Sequence, residues 1–505
     1  MSNPLYDALL GVHHDKDTPF LRLLDGQIIT HARFLARAAQ FAHVLSACGA
    51  KSGDRVAVCV PKSPEALMLY AACVQAGLVF LPLNTSYTAS ELSYFIEDSG
   101  AALVICEDTN RTALASFADQ LSVGIETLNA DGSGTICEKA ASEPIAFETV
   151  PRTGSDLAAL LYTSGTTGRS KGAMLTQNNL LSNAQTLAQE WHFTCDDALV
   201  HALPIFHTHG LFVATNVMLA CGGSIVFMPR FDTATIISWL PAATTMMGVP
   251  TFYTRLLADP HYTREVCANV RLFVSGSAPL LAETHTAFEA RTGHQILERY
   301  GMTETNMNTS NPYSGERRPG TVGLPLPGVE LKITDGDTGA TVAQGEIGQI
   351  EVRGSNVFSG YWQMPEKTKA ELRDDGFFIT GDLGCVDGEG YIHIIGRNKD
   401  LIISGGYNIY PKEIELILDD QAGVLESVVI GVPHADFGET VLGVLVAQRD
   451  TPLDLDGIMS RIRETLARFK HPRKLIVVKE LPRNTMGKVQ KNVLREEFKD
   501  VFSAR

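Results

Sequence analysis

The chain's most informative stretch runs from Leu160 to Gly172 and reads Leu-Leu-Tyr-Thr-Ser-Gly-Thr-Thr-Gly-Arg-Ser-Lys-Gly. An apolar run that starts at Leu157 leads into short hydroxyl side chains and two glycines, and Lys171 follows them. Glycines let a backbone approach a ligand closely, and successive backbone N–H groups can form an anion-binding nest. The stretch therefore predicts a polyphosphate site. Its predicted contacts are Thr163, Ser164, Gly165, Thr166, Thr167, Gly168 and Lys171.

Two other interpretations of this stretch are weaker. Clusters of Gly, Ser and Thr usually form exposed turns, but four hydroxyls, two glycines and a lysine after an apolar strand are more than a turn requires. A Walker-type loop needs the pattern GxxxxGK[ST] at the start of a helix. Gly165 and Gly168 are too close for that pattern, and the apolar residues after Gly172 offer no helix N-terminus, so we reject it.

Residues Tyr162 to Gly172 resemble the phosphate loop YTSGTTGxPKG of the adenylate-forming superfamily of acyl-CoA synthetases, peptide-synthetase adenylation domains and beetle luciferases. Only Ser170 departs from it, because the family usually has proline there. The resemblance covers essentially the whole chain. It implies an α/β fold with a large N-terminal domain, residues 1–396, made of two parallel-sheet α/β subdomains plus a small β-barrel. A small mobile α+β C-terminal lid, residues 397–505, follows.

The pattern of helix and strand signals agrees with an α/β fold. Ser63 and Pro64 predict a helix start between strands near 56–60 and 78–83, and Thr88 with Glu91 forms a capping box before a strand at 102–106. Such βαβ alternation indicates a parallel sheet. Further strands are predicted at 224–228, 244–248, 272–275 and 295–299, short antiparallel strands at 320–361, and strands of the C-terminal unit at 427–432 and 441–447. Helices of that unit are predicted near Pro411, at 458–466 and after Lys491.

Composition narrows the function classes. The apolar fraction of 45% is ordinary for a globular protein, and a net charge of −15 without a basic cluster argues against a nucleic-acid partner. Nine scattered cysteines without a CxxC pair predict reduced thiols. We expect a cytoplasmic protein without membrane association, because no targeting segment opens the chain and no apolar run could span a bilayer.

Several further motifs resemble nucleotide and lid motifs of the family. The resemblance implies that Tyr300 lies against adenine, Thr303 contacts the phosphates and assists catalysis, and Glu304 binds Mg²⁺, a cation that prefers carboxylate and phosphate oxygens. It adds ATP contacts at Gly301, Met302, Gly276, Ser277, Ala278, Asp382 and Arg397, with Asp382 on the ribose hydroxyls.

The lid motifs concern the lysine loop and the hinge. Lys488 in the segment Pro482–Lys488 matches the catalytic lysine, which contacts ATP and whose charge acylation would erase, so lysine-acylating and deacylating enzymes are expected partners. The hinge is predicted at Lys399. The CoA tunnel is predicted at Ser404, Gly405 and Gly406.

The acyl pocket is predicted to hold a dicarboxylic acid. A buried charge is costly unless it is paired, so an arginine beside the pocket anticipates an anionic acyl tail. Arg299 and, less directly, Arg255 stand at positions that border this pocket in the family; the alternative is a surface pair of Arg299 with Glu298. The other predicted acyl contacts are His207, also given a catalytic role, Ser277, Thr208 and Met307. The pair His207 and His209 lacks further ligands at metal spacing, so we expect no metal there.

Within the superfamily, residues 298–307 and 318–323 look most like malonyl-CoA synthetases. This implies an ATP- and Mg²⁺-dependent ligase that joins malonate to CoA through a malonyl-adenylate. The alternatives are a CoA ligase for another short-chain or substituted dicarboxylic acid, and an adenylating enzyme that does not use CoA. A luciferase-like oxidative enzyme would share the motifs, whereas a nucleotide sensor without catalysis should have lost Lys488.

Overall fold

The computed structural model describes residues 2–163, 170–404, 407–434, 437–449, 451–484 and 487–502. Contacts between residues divide the chain into a larger unit, Met1–Leu331 with Val352–Phe378, and a smaller unit, Lys332–Glu351 with Ile379–Arg505. This division by contacts differs from the predicted boundary between residues 396 and 397, which concerns a hinge and stays a prediction. No helix in the described ranges is long and apolar enough to cross a membrane.

Strand and helix alternate through the first 325 residues, as the sequence predicts. The strands are β1 Pro19–Leu23, β2 Ile28–Thr30, β3 Arg55–Cys59, β4 Val79–Pro82, β5 Leu103–Cys106, β6 Gly124–Thr127, β7 Leu157–Thr163, β8 Lys171–Thr176, β9 Ala198–His201, β10 Ser224–Phe227, β11 Thr245–Gly248, β12 Leu272–Ser275, β13 Leu297–Met302, β14 Asn306–Ser310 and β15 Leu324–Pro325. The helices are α1 Pro4–Leu9, α2 His31–Ala47, α3 Pro64–Gln75, α4 Ala89–Ser99, α5 Asp108–Leu121, α6 Thr135–Ala140, α7 Gln177–Glu190, α8 Asn216–Cys221, α9 Thr233–Trp239, α10 Pro250–Leu257 and α11 Ala282–Thr292.

Two sheets carry this part of the larger unit. Among the described residues, one sheet has six strands in the order β6-β5-β3-β4-β7-β8, and β7 and β8 form its antiparallel end. The other has nine strands in the order β15-β14-β13-β12-β11-β9-β10-β1-β2, and its pairs from β13 to β1 are parallel. The predicted α/β class with two parallel-sheet subdomains is confirmed.

Local signals explain where these helices begin. The Ser63 hydroxyl accepts a hydrogen bond from the backbone N–H of Ala66, and Pro64 occupies the first turn of α3. Thr88 and Glu91 form both hydrogen bonds of the predicted capping box at α4. Each such cap satisfies backbone donors that would otherwise lack a partner in the first turn.

The remaining elements complete the chain. The strands are β16 Val329–Thr334, β17 Gly348–Gly354, β18 Phe378–Val386, β19 Ile392–Arg397, β20 Ile402–Ser404, β21 Tyr407–Ile409, β22 Val424–His434, β23 Gly438–Ala447 and β24 Lys474–Val478. The helices are α12 Pro365–Glu371, α13 Pro411–Asp419, α14 Leu455–Thr465 and α15 Lys491–Glu497. The sheet β16-β17-β18-β19 extends beyond the predicted segment 320–361. The prediction stopped short because glycines and polar residues in β18 obscure its strand pattern in the sequence.

The C-terminal sheet is centred on the long antiparallel pair β22 and β23, and β24 runs parallel to β23. Successive side chains of a strand point to opposite faces. Val429 accordingly packs with residues of α13 and α14, whereas its neighbours Val428 and Ile430 pack with Leu494 of α15. This two-sided burial explains why β22 reads as a nearly continuous apolar run.

Candidate active site

The predicted phosphate loop joins two antiparallel strands. Thr163 ends β7 and pairs in register with Lys171, which begins β8. Lys171 therefore starts a strand and not a helix, which agrees with the rejection of a Walker-type loop. The predicted contacts Ser164, Gly165, Thr166, Thr167 and Gly168 lie outside the described residues, and they stay predictions.

Lys171 belongs to a polar network in the larger unit. Its Nζ lies 3.1 Å from the Tyr361 hydroxyl and 3.3 Å from Glu371 Oε2. The Tyr361 hydroxyl is 2.7 Å from Glu371 Oε2 and 3.1 Å from Glu304 Oε1. Thr163 also donates to Glu304 Oε1, at 3.4 Å. Tyr361 and Glu371 were not predicted from the sequence, because they stand 190 and 200 residues from Lys171.

Glu304 fits the predicted magnesium role. No group of three or more His, Cys, Asp or Glu side chains that could hold a metal occurs in the described ranges. Mg²⁺ does not require such a cage, since it commonly uses one or two carboxylates together with substrate phosphates and water. The hydroxyls of Thr163 and Tyr361 lie 3.4 and 3.1 Å from Glu304 Oε1, and Lys171 Nζ lies 3.1 Å from the Tyr361 hydroxyl. The Glu304 carboxylate is thus held in position near the Lys171 ammonium, a cation suited to binding phosphate.

The segment predicted to contact adenine forms a hairpin. β13 and β14 are antiparallel, and the tight turn between them carries Thr303 and Glu304. Gly301 is required here, because a Cβ at this position would lie 1.9 Å from the Asn306 carbonyl oxygen. Tyr300, Met302 and Thr303 keep partial exposure next to the buried Glu304. The hairpin can thus offer an aromatic face and a hydroxyl to a ligand.

Arg299 is buried in the larger unit, and the described part of the chain offers it no charged partner. Its side chain is 3% exposed, and Nε and Nη2 have no hydrogen-bond partner among the described residues. Burial lowers the pKa of Arg299 to about 9, and Tyr253 offsets part of this shift. An unpaired guanidinium in such surroundings is costly and indicates an anionic ligand.

The surface alternative for Arg299 is wrong. Glu298 is itself 5% exposed, and its Oε1 accepts a hydrogen bond from the backbone N–H of Leu280 at 3.1 Å. Neighbouring residues of a strand face opposite sides of the sheet, so Glu298 and Arg299 point apart. Neither side chain is at the surface.

Small and polar residues surround the Arg299 guanidinium. A Cβ on Gly276, the residue after β12, would lie 2.4 Å from Arg299 Cζ, so a side chain there would displace the guanidinium. Ser277, with a φ of 72°, places its hydroxyl 3.2 Å from His209 Nδ1. His209 is buried, and its pKa is lowered by desolvation and then by the positive charge of Arg299. His209 Nε2 and Thr208 Oγ1 have no hydrogen-bond partner in the part of the chain that the structure describes.

His209 is a residue that sequence reasoning did not place in this pocket. It stands 68 residues from Ser277, and only its proximity to His207 could have signalled it. Its backbone N–H donates to His207 Nδ1 at 3.2 Å, so the two histidines are linked.

The other two predicted acyl residues differ in burial. Met307 is buried, and its backbone N–H and carbonyl both bond the amide of Asn183. Arg255 on α10 is exposed, with its guanidinium 5.8 Å from the Phe231 ring centroid. The contacts therefore favour Arg299 over Arg255 as the anion-binding arginine.

The smaller unit brings the remaining predicted residues together. Asp382 on β18 pairs in register with Arg397 on β19, and Arg397 Nε lies 2.6 Å from Asp382 Oδ1. Lys399 lies in the short 3₁₀ helix Asn398–Asp400. Ser404 ends β20, whereas Gly405 and Gly406 lie outside the described residues.

The loop of Lys488 is held by its own residues. Asn484 Oδ1 accepts from the backbone N–H of Lys488 at 2.9 Å, and the Arg483 guanidinium donates to the Gly487 carbonyl at 2.7 Å. Desolvation lowers the pKa of Lys488 to about 8 although the side chain keeps exposed surface. The charge of Arg397 contributes to this lowering, and Asp382 acts in the opposite direction. Lys488 is therefore placed among the charges of the predicted ribose-binding pair.

Comparisons with known proteins identify the family of the chain. A family described as AMP-binding enzyme matches residues 11–362, and its C-terminal domain matches residues 413–488. The chain is similar over its full length, and the full length of the other chain, to ATP-bound MatB from Rhodopseudomonas palustris, with 55% identity and a TM-score of 0.98.

Two curated relatives are similar to the chain at equal identity. A long-chain-fatty-acid–CoA ligase of Bacillus subtilis is 33% identical, over 94% of this chain and 90% of its own length. A malonate–CoA ligase of Arabidopsis thaliana is 33% identical, over 90% of this chain and 79% of its own length. Relatives whose names give different acid substrates are thus equally identical in sequence to this chain.

Proposed function

The chain belongs to the AMP-binding enzyme family and is an acyl-CoA ligase, and from this premise we propose that its acyl substrate is malonate. Enzymes of this kind use ATP, CoA and a carboxylic acid. The proposed reaction converts malonate, ATP and CoA into malonyl-CoA, AMP and pyrophosphate through a malonyl-adenylate. The buried and unpaired guanidinium of Arg299 is the observation that carries the choice of acid.

The chemistry of the pocket supports a dicarboxylic acid. A fatty acyl chain would leave the Arg299 charge desolvated without compensation, whereas a second carboxylate can accept two parallel hydrogen bonds from a guanidinium. The free donors Nε and Nη2 suit such a contact. The guanidinium packs against Gly276, and the hydroxyl of Ser277 and the ring of His209 add polar groups nearby.

The adenylation step assigns a role to each remaining group. Lys171 and Thr303 contact the phosphates, Tyr300 lies against adenine, and Asp382 with Arg397 holds the ribose. Bound Mg²⁺ on Glu304 would neutralise phosphate charge. His207 lies beside the reacting carboxylate, and Lys488 offsets the repulsion between that carboxylate and the α-phosphate.

The thioester step uses the lid. We propose that the backbone turns at Lys399 after adenylation and that Ser404, Gly405 and Gly406 then line the path of the CoA thiol. The thiol attacks the acyl carbon, its proton is lost, and AMP leaves.

Replacing Arg299 with alanine tests the choice of acid. Loss of one partner of a buried charge pair costs about 2–5 kcal/mol, so the apparent affinity for malonate should fall roughly 30-fold to several thousand-fold. Propionate lacks the second charge, so its kcat/KM should change little. The measurement is the ratio of kcat/KM for malonate over propionate in wild type and Arg299→Ala.

Arg255→Ala is the matched control, because it removes the same side chain from an exposed position. Its ratio should equal that of the wild type. An unchanged ratio in Arg299→Ala would remove the physical basis for malonate. A melting temperature that rises with ATP in both variants would show that they are folded.

A panel of acids tests the remaining alternatives. Thr208 and Met307 are proposed to border the C2 substituent, so small 2-substituted malonates are the next substrates to test. AMP release measured with and without CoA distinguishes a CoA ligase from an adenylating enzyme that does not use CoA. We further propose a cytoplasmic location and control through acylation of Lys488, which would erase the charge that adenylation needs.

A further inference from the structure

Tyr361 and Glu371 stand between the phosphate lysine and the proposed metal carboxylate. The Tyr361 hydroxyl contacts Lys171 Nζ, Glu304 Oε1 and Glu371 Oε2 at 3.1, 3.1 and 2.7 Å. The ring of Tyr361 packs edge-on against Phe358, and its backbone N–H donates to Thr368 Oγ1. The position of the hydroxyl is therefore fixed by packing.

The Tyr361 hydroxyl has two carboxylate neighbours but can donate to only one of them. A phenol has one proton to donate. Lys171 donates to the phenol oxygen, so the phenol proton goes to one of the two carboxylates, and Glu371 is the nearer. Tyr361 thus remains satisfied when Glu304 turns to another ligand.

Glu371 is also supplied with a second cation. Its Oε1 pairs with Lys367 Nζ at 2.6 Å within α12, while Oε2 faces Lys171 and Tyr361. Glu371 therefore keeps a charged partner and the phenol after Lys171 leaves it. This contrasts with a closed ion pair, in which the departure of one partner leaves the other without compensation.

A lysine this close to Glu304 has an obvious competing state. Lys171 Nζ and Glu304 Oε1 each lie 3.1 Å from the Tyr361 hydroxyl oxygen, and the lysine side chain is flexible. A direct pair of Lys171 with Glu304 would occupy both the phosphate lysine and the carboxylate that a divalent cation needs.

We propose that Glu371, with Tyr361, is a positioning residue that holds Lys171 away from Glu304 and so keeps both groups available to the ATP–Mg²⁺ complex. The inference rests on the proposed roles of Lys171 and Glu304 and is independent of the acyl substrate. It predicts that the loss of the Glu371 charge makes Lys171 compete with the cation.

The test is ATP binding to the full-length protein by isothermal titration calorimetry over a range of Mg²⁺ concentrations, without any acid. In Glu371→Gln the Mg²⁺ concentration that half-restores ATP affinity should rise about fivefold or more. Saturating Mg²⁺ should restore the affinity. Glu371→Asp keeps the charge and should remain near the wild type. Glu366→Gln, the same change at an exposed position of α12, is the matched control.

A double mutant separates this effect from a structural one. With Lys171→Gln present, no lysine can compete for Glu304, so adding Glu371→Gln should leave the Mg²⁺ dependence unchanged. An equal shift in both backgrounds would overturn the proposal, as would tighter ATP binding in Glu371→Gln at every Mg²⁺ concentration. If Glu371→Gln does not fold, Tyr361→Phe replaces it, because it removes the hydroxyl that lies between the two carboxylates.

Discussion

Desolvation and, after it, the charges of neighbouring residues set the protonation of the Lys488 ammonium. Desolvation lowers its pKa from 10.5 to about 8, and the positive charge of Arg397 acts in the same direction. The charged form that the proposed adenylation requires is therefore present below about pH 8 and is lost as the pH rises through that value. An ordinary surface lysine would stay charged two units higher.

The rate of adenylation, measured as pyrophosphate exchange, should consequently decline as the pH rises through about 8. Lys488→Arg retains its charge in this range and should flatten the decline, even where its absolute rate is lower. Lys488→Ala should lose about 10²–10³ in adenylation rate at neutral pH.

Supplied malonyl-AMP provides the control for Lys488→Ala, because thioester formation from it needs no charge beside the α-phosphate. An equal loss in both half-reactions would show that Lys488 has a general structural role. A wild-type pH profile in Lys488→Arg would show that another group causes the decline.

At the level of elements, the predicted hinge is a single 3₁₀ turn between two strands. Asn398–Asp400 follows β19 and precedes β20. Asp400 Oδ1 accepts from Arg495 of α15 at 2.6 Å, so the residue after Lys399 is tied to the helix that follows the Lys488 loop. If the backbone rotates at Lys399, Asp400 and helix α15 would thus move together.

A proline at position 399 should impair the second half-reaction. Proline fixes its own φ and restricts the residue before it, so the backbone could not take up a second conformation. We expect Lys399→Pro to slow thioester formation while pyrophosphate exchange stays largely intact. Lys399→Ala, which leaves the backbone free, should support both steps. An equal loss of exchange in Lys399→Pro would place the hinge elsewhere.

Across the whole molecule, cysteine accessibility reports on the fold. All nine cysteines lie within the described ranges and are free; five are buried and only Cys195 is exposed. Burial raises the pKa of the interior thiols, for example Cys59 and Cys106, and suppresses the reactive thiolate.

A thiol reagent such as DTNB should therefore modify one cysteine rapidly in the native protein and all nine after denaturation. Cys195→Ser should abolish the rapid phase. A rapid phase in the native protein that includes the buried thiols Cys59, Cys106 and Cys267 would contradict the packing of both parallel-sheet cores.

Much of the architecture was predictable, because short segments of sequence determine the positions of strands and the starts of helices. Apolar runs placed β3, β5, β12 and the pair β22 and β23 close to their observed bounds, and Thr88 with Glu91 marked the start of α4. These signals involve residues within a few positions of each other. The family motifs are likewise short continuous stretches of sequence, so the ligase family was predictable from them.

The environment of each functional side chain depended on tertiary structure. Arg299 and Arg255 are both arginines in the sequence. Arg299 is buried, with no hydrogen-bond partner for Nε and Nη2 among the described residues, whereas Arg255 is exposed over Phe231. His209 meets Ser277 across 68 residues, and Lys171 meets Glu371 across 200. Local preferences determine backbone conformation over a few residues, whereas desolvation and ion pairing arise from elements that only folding brings together. The charge state of Lys488 and the availability of Arg299 are consequences of that second kind.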